Sequence, residues 1–340
     1  MKNKKLVIII AAVVVVLAVV LAVVLLGGNK TPAGPTEKEY KLGMGAVAGT
    51  HNASQTNLTV ATVVVDADGK IVACRLDVAQ NKYKFDADKG EVVFTVLDSK
   101  KELKEDYKMK PVSGIGKEWY EQAEAFEKFV VGKTAKEVEA LTVVQNGTHW
   151  VSNDPVLSAG CTMDIVDFKA AVVKACNDDQ GMSFKTDKEF KLGLGVNSAN
   201  DKSSATDDKN YTVKLNVEFA ASVVIDGKVV ATLNDAYQPN VVVVNGEVTK
   251  ATVGTFNKEG ADDKGFMTKR ELKELYNMIP ASPIKTEWYV QSANYSNFVL
   301  GKTGAEIAGL ELSDDLKAAG CTIYIGGINA VVAESVTNAR

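Results

Sequence analysis

The chain has 340 residues and a formal net charge of −4, with 46% hydrophobic and 24% charged residues. That length allows roughly two domains, and the composition lets each bury a core. The acidic excess grows once Lys2, Lys4 and Lys5 are set aside, so the body lacks the basic face of a nucleic-acid binder.

Residues 6–26 form an unbroken run of 21 uncharged apolar residues. As a helix the run spans about 31 Å, the thickness of a bilayer's hydrocarbon core. Three lysines precede it, which predicts a transmembrane anchor over residues 1–27 with a cytoplasmic N-terminus and an external body. A cleaved signal peptide is the alternative, but its apolar core is usually about 7–15 residues. Lipidation needs a cysteine just after the run, and the first cysteine is Cys74. Residues 28–38, rich in Gly, Pro, Thr and charge, read as a linker.

From Glu39 the chain repeats itself. Glu39-Tyr-Lys-Leu-Gly-Met-Gly45 returns as Glu189-Phe-Lys-Leu-Gly-Leu-Gly195. Asp66-Ala-Asp-Gly69 and Asp226-Gly227 are hairpin turns between β-rich arms. Each hairpin runs on to an Asp-x-x-Gln, Asp77 with Gln80 and Asp235 with Gln238, and then to another strand-like run. Ser99 with Glu102, and Thr268 with Glu271, are capping boxes for a short helix that ends at Pro111 or Pro280. Ser113 and Ser282 then open a second helix, with Pro283 at its first helical position. Its apolar face carries Ile115, Trp119, Ala123 and Phe126, or Ile284, Trp288, Ser292 and Tyr295. Gly132 and Gly301 are C-cap glycines, and Thr134–Glu137 and Thr303–Glu306 are further capping boxes. These account for Gly-Lys-Thr at 132–134 and 301–303 without a nucleotide, because a phosphate loop needs glycine where Glu127 and Ser296 stand.

Ala159-Gly160-Cys161-Thr162 returns as Ala319-Gly320-Cys321-Thr322, each time leading into an alternating run read as a strand. A helix then closes each copy, around Phe168–Cys176 and Ile328–Val336. The predicted fold class is α+β: two tandem repeated domains, residues 39–178 and 188–340, joined by a connector at 179–187. Each is an antiparallel sheet with packed helices, after an N-terminal transmembrane helix.

The repeated Gly-Cys-Thr is the leading candidate site, since glycine inside a strand marks a close approach and the threonine offers a hydroxyl on a stiff side chain. Met109 and Met278 fall between helices, where periodicity asks for no methionine, and suit a ligand wall. Trp119 and Trp288 suit either core or wall. Asp77 and Asp235 are repeated carboxylates. The four cysteines lack Cys-x-x-Cys spacing, and His51 and His149 stand apart from them, so no zinc, iron–sulfur or haem pattern is present. The thiols read as buried and free. No repeated histidine activates a Cys nucleophile, and no repeated carboxylate pair suggests a glycosidase.

Tyr107-x-Met-x-Pro-x-Ser-x-Ile-Gly-Lys-Glu-Trp-Tyr-Glu-Gln122, followed by Val131-Gly-Lys-Thr134 and Ala159-Gly-Cys-Thr162, resembles the FMN-binding domains of Gram-positive surface proteins for extracellular electron transfer, the PplA-like group. It resembles the flavin domains of NqrC and RnfG subunits more distantly. The resemblance covers residues 39–178 and again 186–340. It implies two covalent FMN groups, held by phosphoester bonds to Thr162 and Thr322 and installed by a flavin transferase outside the cytoplasm. Gly160 and Gly320 would let the backbone approach the phosphate, and Met109, Met278, Trp119 and Trp288 would wall the ring. Two departures stand out: Cys161 and Cys321 replace the usual alanine, and Ala159 and Ala319 replace the first hydroxyl residue. The implied function is an electron carrier rather than a turnover enzyme. It would sit at the outer face of the cell membrane, passing electrons from a quinol-linked membrane donor to external acceptors. The alternative is a non-redox surface module that binds a ligand or a cell-wall partner.

Overall fold

The computed structural model describes residues 37–48, 54–207, 209–249, 252–253 and 267–340. The predicted anchor and most of the linker lie outside the described residues; among those described, no helix is long and apolar enough to cross a membrane.

The β-rich arms form the expected strands. β1 (Lys38–Ala48), β2 (Gln55–Asp66), β3 (Ile71–Asp86) and β4 (Glu91–Val96) make an antiparallel meander. Next come α1 (Lys100–Leu103), α2 (Trp119–Val130), α3 (Ala135–Glu139), the hairpin β5 (Val143–Asn146) and β6 (His149–Ser152), α4 (Pro155–Ser158) and α5 (Val166–Cys176). Within the stretch read as a connector, β7 (Met182–Thr186) pairs with β1 and completes a sheet of order β4-β3-β2-β1-β7. The second half follows the same order. β8 (Lys191–Asp207), β9 (Asn210–Ile225), β10 (Lys228–Tyr237) and β11 (Pro239–Val244) form an antiparallel sheet, with two short strands on β11 at Glu247–Val248 and Thr252–Val253. Its helices are α6 (Lys269–Leu272), α7 (Trp288–Phe298), α8 (Gly304–Ala308), α9 (Asp314–Ala318) and α10 (Gly326–Thr337). The chain is therefore α+β, with antiparallel sheets and packed helices.

The two sheets lie face to face. Leu42, Met44, Leu58 and Val60 of the first share one core with Leu192, Leu194, Val217 and Phe219 of the second. Strand alternation turns the intervening residues outward. Val63, Leu76 and Val78 pack under α2 and α5 through Phe126, Phe168 and Val172. On the far side Val229 packs under α7 and α10 through Trp288, Tyr295 and Val331. The layers run helix, sheet, sheet, helix, so the central strands are buried on both faces and read as near-continuous apolar runs.

The repeated Leu-Gly-x-Gly has its explanation here. A Cβ on Gly43 or Gly45 would run into the carbonyls of Ala175 or Ala171 in α5, and one on Gly193 or Gly195 into those of Ser335 or Val331 in α10. The missing side chains let each closing helix lie directly on its sheet.

Sequence and structure agree at the caps. All four capping boxes form, and Asp226-Gly227 turns with both φ angles positive, as a two-residue hairpin requires. Two expectations are corrected. Gly-Cys-Thr does not enter a strand: residues 161–165 are irregular, because Thr162 gives its N–H to a side chain rather than to a ladder. The second helices begin only at Trp119 and Trp288, with Glu118 and Glu287 at their N-cap positions. Ser113 and Ser282 stay in the preceding turns and bind side chains instead.

Candidate functional site

In the first half α4 stops at Ser158, and Cys161 returns its N–H to the Leu157 carbonyl at 2.8 Å, which brings Thr162 over the N-terminal part of α2. There Gln122 is fully buried. Its Oε1 accepts from the Thr162 N–H at 2.9 Å and from Thr162 Oγ1 at 3.3 Å. Its Nε2 donates to Ser113 Oγ at 3.0 Å and to the Lys117 carbonyl at 3.2 Å. The second half repeats each bond. Gln291 Oε1 accepts from the Thr322 N–H at 2.7 Å and Oγ1 at 3.0 Å, and its Nε2 donates to Ser282 Oγ at 3.1 Å and the Thr286 carbonyl at 3.0 Å. A buried amide must satisfy both its ends, and here one end fixes the threonine while the other fixes the turn before the helix.

Each threonine stands at the edge of a cleft. The first, of about 480 Å³, has Asn57, Thr59, Val78 and Gln80 of β2 and β3 as its floor, with Lys100, Tyr107, Met109 and Trp119 as one wall. The second, of about 410 Å³, has Asn216, Glu218 and Gln238 below and Lys269, Met278 and Trp288 beside them. These volumes suit small-molecule sites. Met109 and Met278 are set by the same device: each backbone N–H donates at 2.8 Å to the buried carboxylate of the residue at the N-cap position of the next helix, Glu118 or Glu287. Trp119 and Trp288 both pack in the core and line the cleft. The Gln238 amide donates to Asn216 Oδ1 at 2.9 Å, and the Tyr107 hydroxyl to Gln80 Oε1 at 3.3 Å, so each floor is a row of oriented amides.

The Lys100 ammonium lies over the rings of Tyr107 and Trp119, 4.8 and 5.3 Å from their centroids. The Lys269 ammonium lies over Tyr276 and Trp288, at 5.2 and 5.0 Å. Burial pushes both down to about 8; charge attraction opposes it, from Asp77 at Lys100 and from Glu218 and Asp235 at Lys269.

Other candidates take different places. Asp77 and Asp235 do not line these clefts, although Val78, next to Asp77, lines the first. Asp77 accepts the Lys101 N–H at 3.1 Å and Asp235 the Arg270 N–H at 3.0 Å, so each holds the start of a short helix. Burial pushes both carboxyls up to about 6. Cys161 and Cys321 are fully buried core thiols, and burial pushes Cys161 up to about 11. All four cysteines are free. The glycines answer to helix packing: a Cβ on Gly160 would meet Ala125 at 2.8 Å, and one on Gly320, whose φ is +88°, would meet Asn294 at 2.6 Å. Among the described residues no group of His, Cys, Asp and Glu is placed to hold a metal ion.

Sequence reasoning passed over Gln122 and Gln291 as site residues. Their signal was a repeated glutamine on the apolar face of a helix. It also passed over Lys100 and Lys269, which were hidden inside the capping boxes. The clefts are not identical. The β5–β6 hairpin brings His149 to the first, while Glu218 and the 83% exposed Tyr324 belong to the second. Compared with known proteins, the chain matches no family model, no curated protein and no solved structure.

Proposed function

We propose that the chain is two tandem copies of one flavin-carrying domain, with FMN esterified to Thr162 and Thr322, and that it works as an electron carrier tethered by residues 6–26 at the outer face of a membrane. The observation that carries this reading is the repeated threonine, held by the same buried glutamine at the edge of the same amide-floored cleft. A solvated surface threonine has no need of a buried glutamine that accepts from both its N–H and its hydroxyl. Twice in one chain, the hydroxyl is fixed where a bound molecule would be tethered.

The donor set fits FMN. Asn57 with Gln80, and Asn216 with Gln238, offer amide donors and acceptors to the carbonyls and N–H of a flavin ring. Trp119 with Met109, and Trp288 with Met278, supply flat and polarizable walls. Bound flavin supplies the redox chemistry, and the chain's part is to hold it, orient it and set its surroundings. Attachment requires a flavin transferase and a flavin dinucleotide. Threonine Oγ1 gives up its proton and bonds to the phosphorus of the FMN portion, and the adenylate leaves. Gln122 and Gln291 orient that oxygen. Electrons would enter from a quinol-linked membrane donor and leave to external acceptors.

Single and double threonine variants test the reading. Co-expressed with a flavin transferase, Thr162→Ala and Thr322→Ala should each lose one flavin, and the double variant should be colourless yet folded. Covalent flavin retained in the double variant would overturn the attachment. A wild-type chain that takes up no flavin beside a transferase active on another substrate would favour a non-redox binding module.

A further inference from the structure

Resting on that reading, we infer that Lys100 and Lys269 are the residues that set the redox potential of the two flavins, by stabilising the negative charge each ring takes up on reduction. Two-electron reduction of a flavin with uptake of one proton leaves one net negative charge on the ring system. The electrons come from an external donor, and the lysine gives up nothing in the step. A cation already in place beside the ring favours the reduced form.

The structure supplies a cation that otherwise lacks a purpose. Lys269 is only 9% exposed, and it lines the cleft with Met278, Trp288 and Thr322. Lys100 takes the same place beside Met109, Trp119 and Thr162. Among the described residues neither ammonium has a carboxylate within salt-bridge distance; each lies over the faces of a tyrosine and a tryptophan. The neighbouring cations are treated otherwise. Lys101 is paired with Glu127, and Arg270 with Asp178. Burying a charge is unfavourable unless something compensates it, and aromatic faces offset only part of that. A cation held over aromatic faces with no carboxylate in salt-bridge distance, lining a cleft in both halves, is arranged for a charge that arrives with the ligand.

Other charged groups bear on each lysine. Asp77 and Lys82 act on Lys100, and Glu218, Asp235 and Lys214 on Lys269. Glu218 lines the second cleft where Thr59 lines the first, so Lys269 is already partly compensated. Its removal should therefore change the potential less than removal of Lys100.

The test isolates one flavin at a time. In a Thr322→Ala background, Lys100→Met and Lys100→Arg are flavinylated and weighed, and the midpoint potential of the remaining flavin is measured by spectroelectrochemistry. Lys269→Met and Lys269→Arg are read in the same way in a Thr162→Ala background. Lys100→Met should disfavour the reduced form at least tenfold, a negative shift of about 30 mV for a two-electron couple. Lys100→Arg should stay close to the parent, and Lys269→Met should shift less than Lys100→Met. Flavin present by mass with an unshifted potential in both methionine variants would overturn this inference and leave the flavin reading standing. An equal loss in the arginine variants would show a packing role instead of a charge and would also overturn it. Absence of flavin from the parent proteins would remove both.

Discussion

Replacing Gln122 with leucine tests the central contact of the first site. The side chain is fully buried and makes bonds of 2.9 Å from the Thr162 N–H, 3.0 Å to Ser113 Oγ and 3.2 Å to the Lys117 carbonyl, with a longer one of 3.3 Å from Thr162 Oγ1. Each such bond is worth about 0.5–1.5 kcal/mol net, and a buried partner left unsatisfied adds to the loss. Leucine keeps the shape and returns some apolar burial, so the expected destabilisation is about 2–4 kcal/mol. Urea denaturation followed by tryptophan fluorescence measures it. Peptide mapping after co-expression with a transferase should also show slower FMN loading at Thr162 and unchanged loading at Thr322, which Gln291 still orients. A loss under about 1 kcal/mol, with both threonines loaded equally, would refute the idea that this glutamine organises the site.

Further expectations follow from packing and charge. Gly43→Ala places a Cβ against the Ala175 carbonyl, so overpacking should lower stability by roughly 1–3 kcal/mol in thermal unfolding. Glu127→Ala leaves Arg75 and Lys101 without their shared, nearly buried carboxylate and also removes the acceptor for the Leu76 N–H, a loss of roughly 3 kcal/mol by urea denaturation. Glu334 is pushed up to about 7, first by burial and then by the Glu102 charge. A carboxyl with a raised pKa makes the folded state hold more protons, so its effect lowers stability as pH rises from about 4.5 to 7. Glu334→Gln should abolish that decline. The gain over the parent should be about 1–2 kcal/mol at pH 8, discounted for partial exposure, and near zero at pH 4, as read by paired melts.

The local signals in the sequence carried through to the structure. Ser99, Thr134, Thr268 and Thr303 cap helices because their side-chain bonds close within three residues, which a sequence displays directly. The same holds for Gly132 and Gly301, whose φ angles are +85° and +78°. What failed to show was set by partners far along the chain. Thr162 looked like part of a strand because Met163-Asp-Ile165 alternates, but its N–H is taken by Gln122, forty residues earlier. Ser113 looked like a helix cap and instead serves the same glutamine. Gly160 looked like space for a phosphate and is space for Ala125. The face-to-face packing of the sheets left no local mark either: Leu42 and Leu194 bury against elements of the other half, and nothing in one repeat names its neighbour.

The halves also diverge in matched pairs. The Leu76 N–H donates to Glu127 at 2.7 Å in the first, whereas Asn234, at the place of Leu76, donates its amide to Ser296 at 3.0 Å in the second. Lys174 binds Glu271 at 2.7 Å across the seam, whereas at the corresponding place the charge of Glu102 acts on the like-charged Glu334. The glutamine–threonine contact, the cleft lysine and the methionine–carboxylate bond are kept in both. The clefts themselves differ at His149, Glu218 and Tyr324, so what the halves share is these three contacts.

Intact mass of the region from residue 28 onward, expressed with and without a flavin transferase, tests the central claim most directly. The account predicts a gain of two FMN units, each less one water, mapped to Thr162 and Thr322. No gain in mass, with the transferase shown to act on another substrate in the same cells, would contradict it.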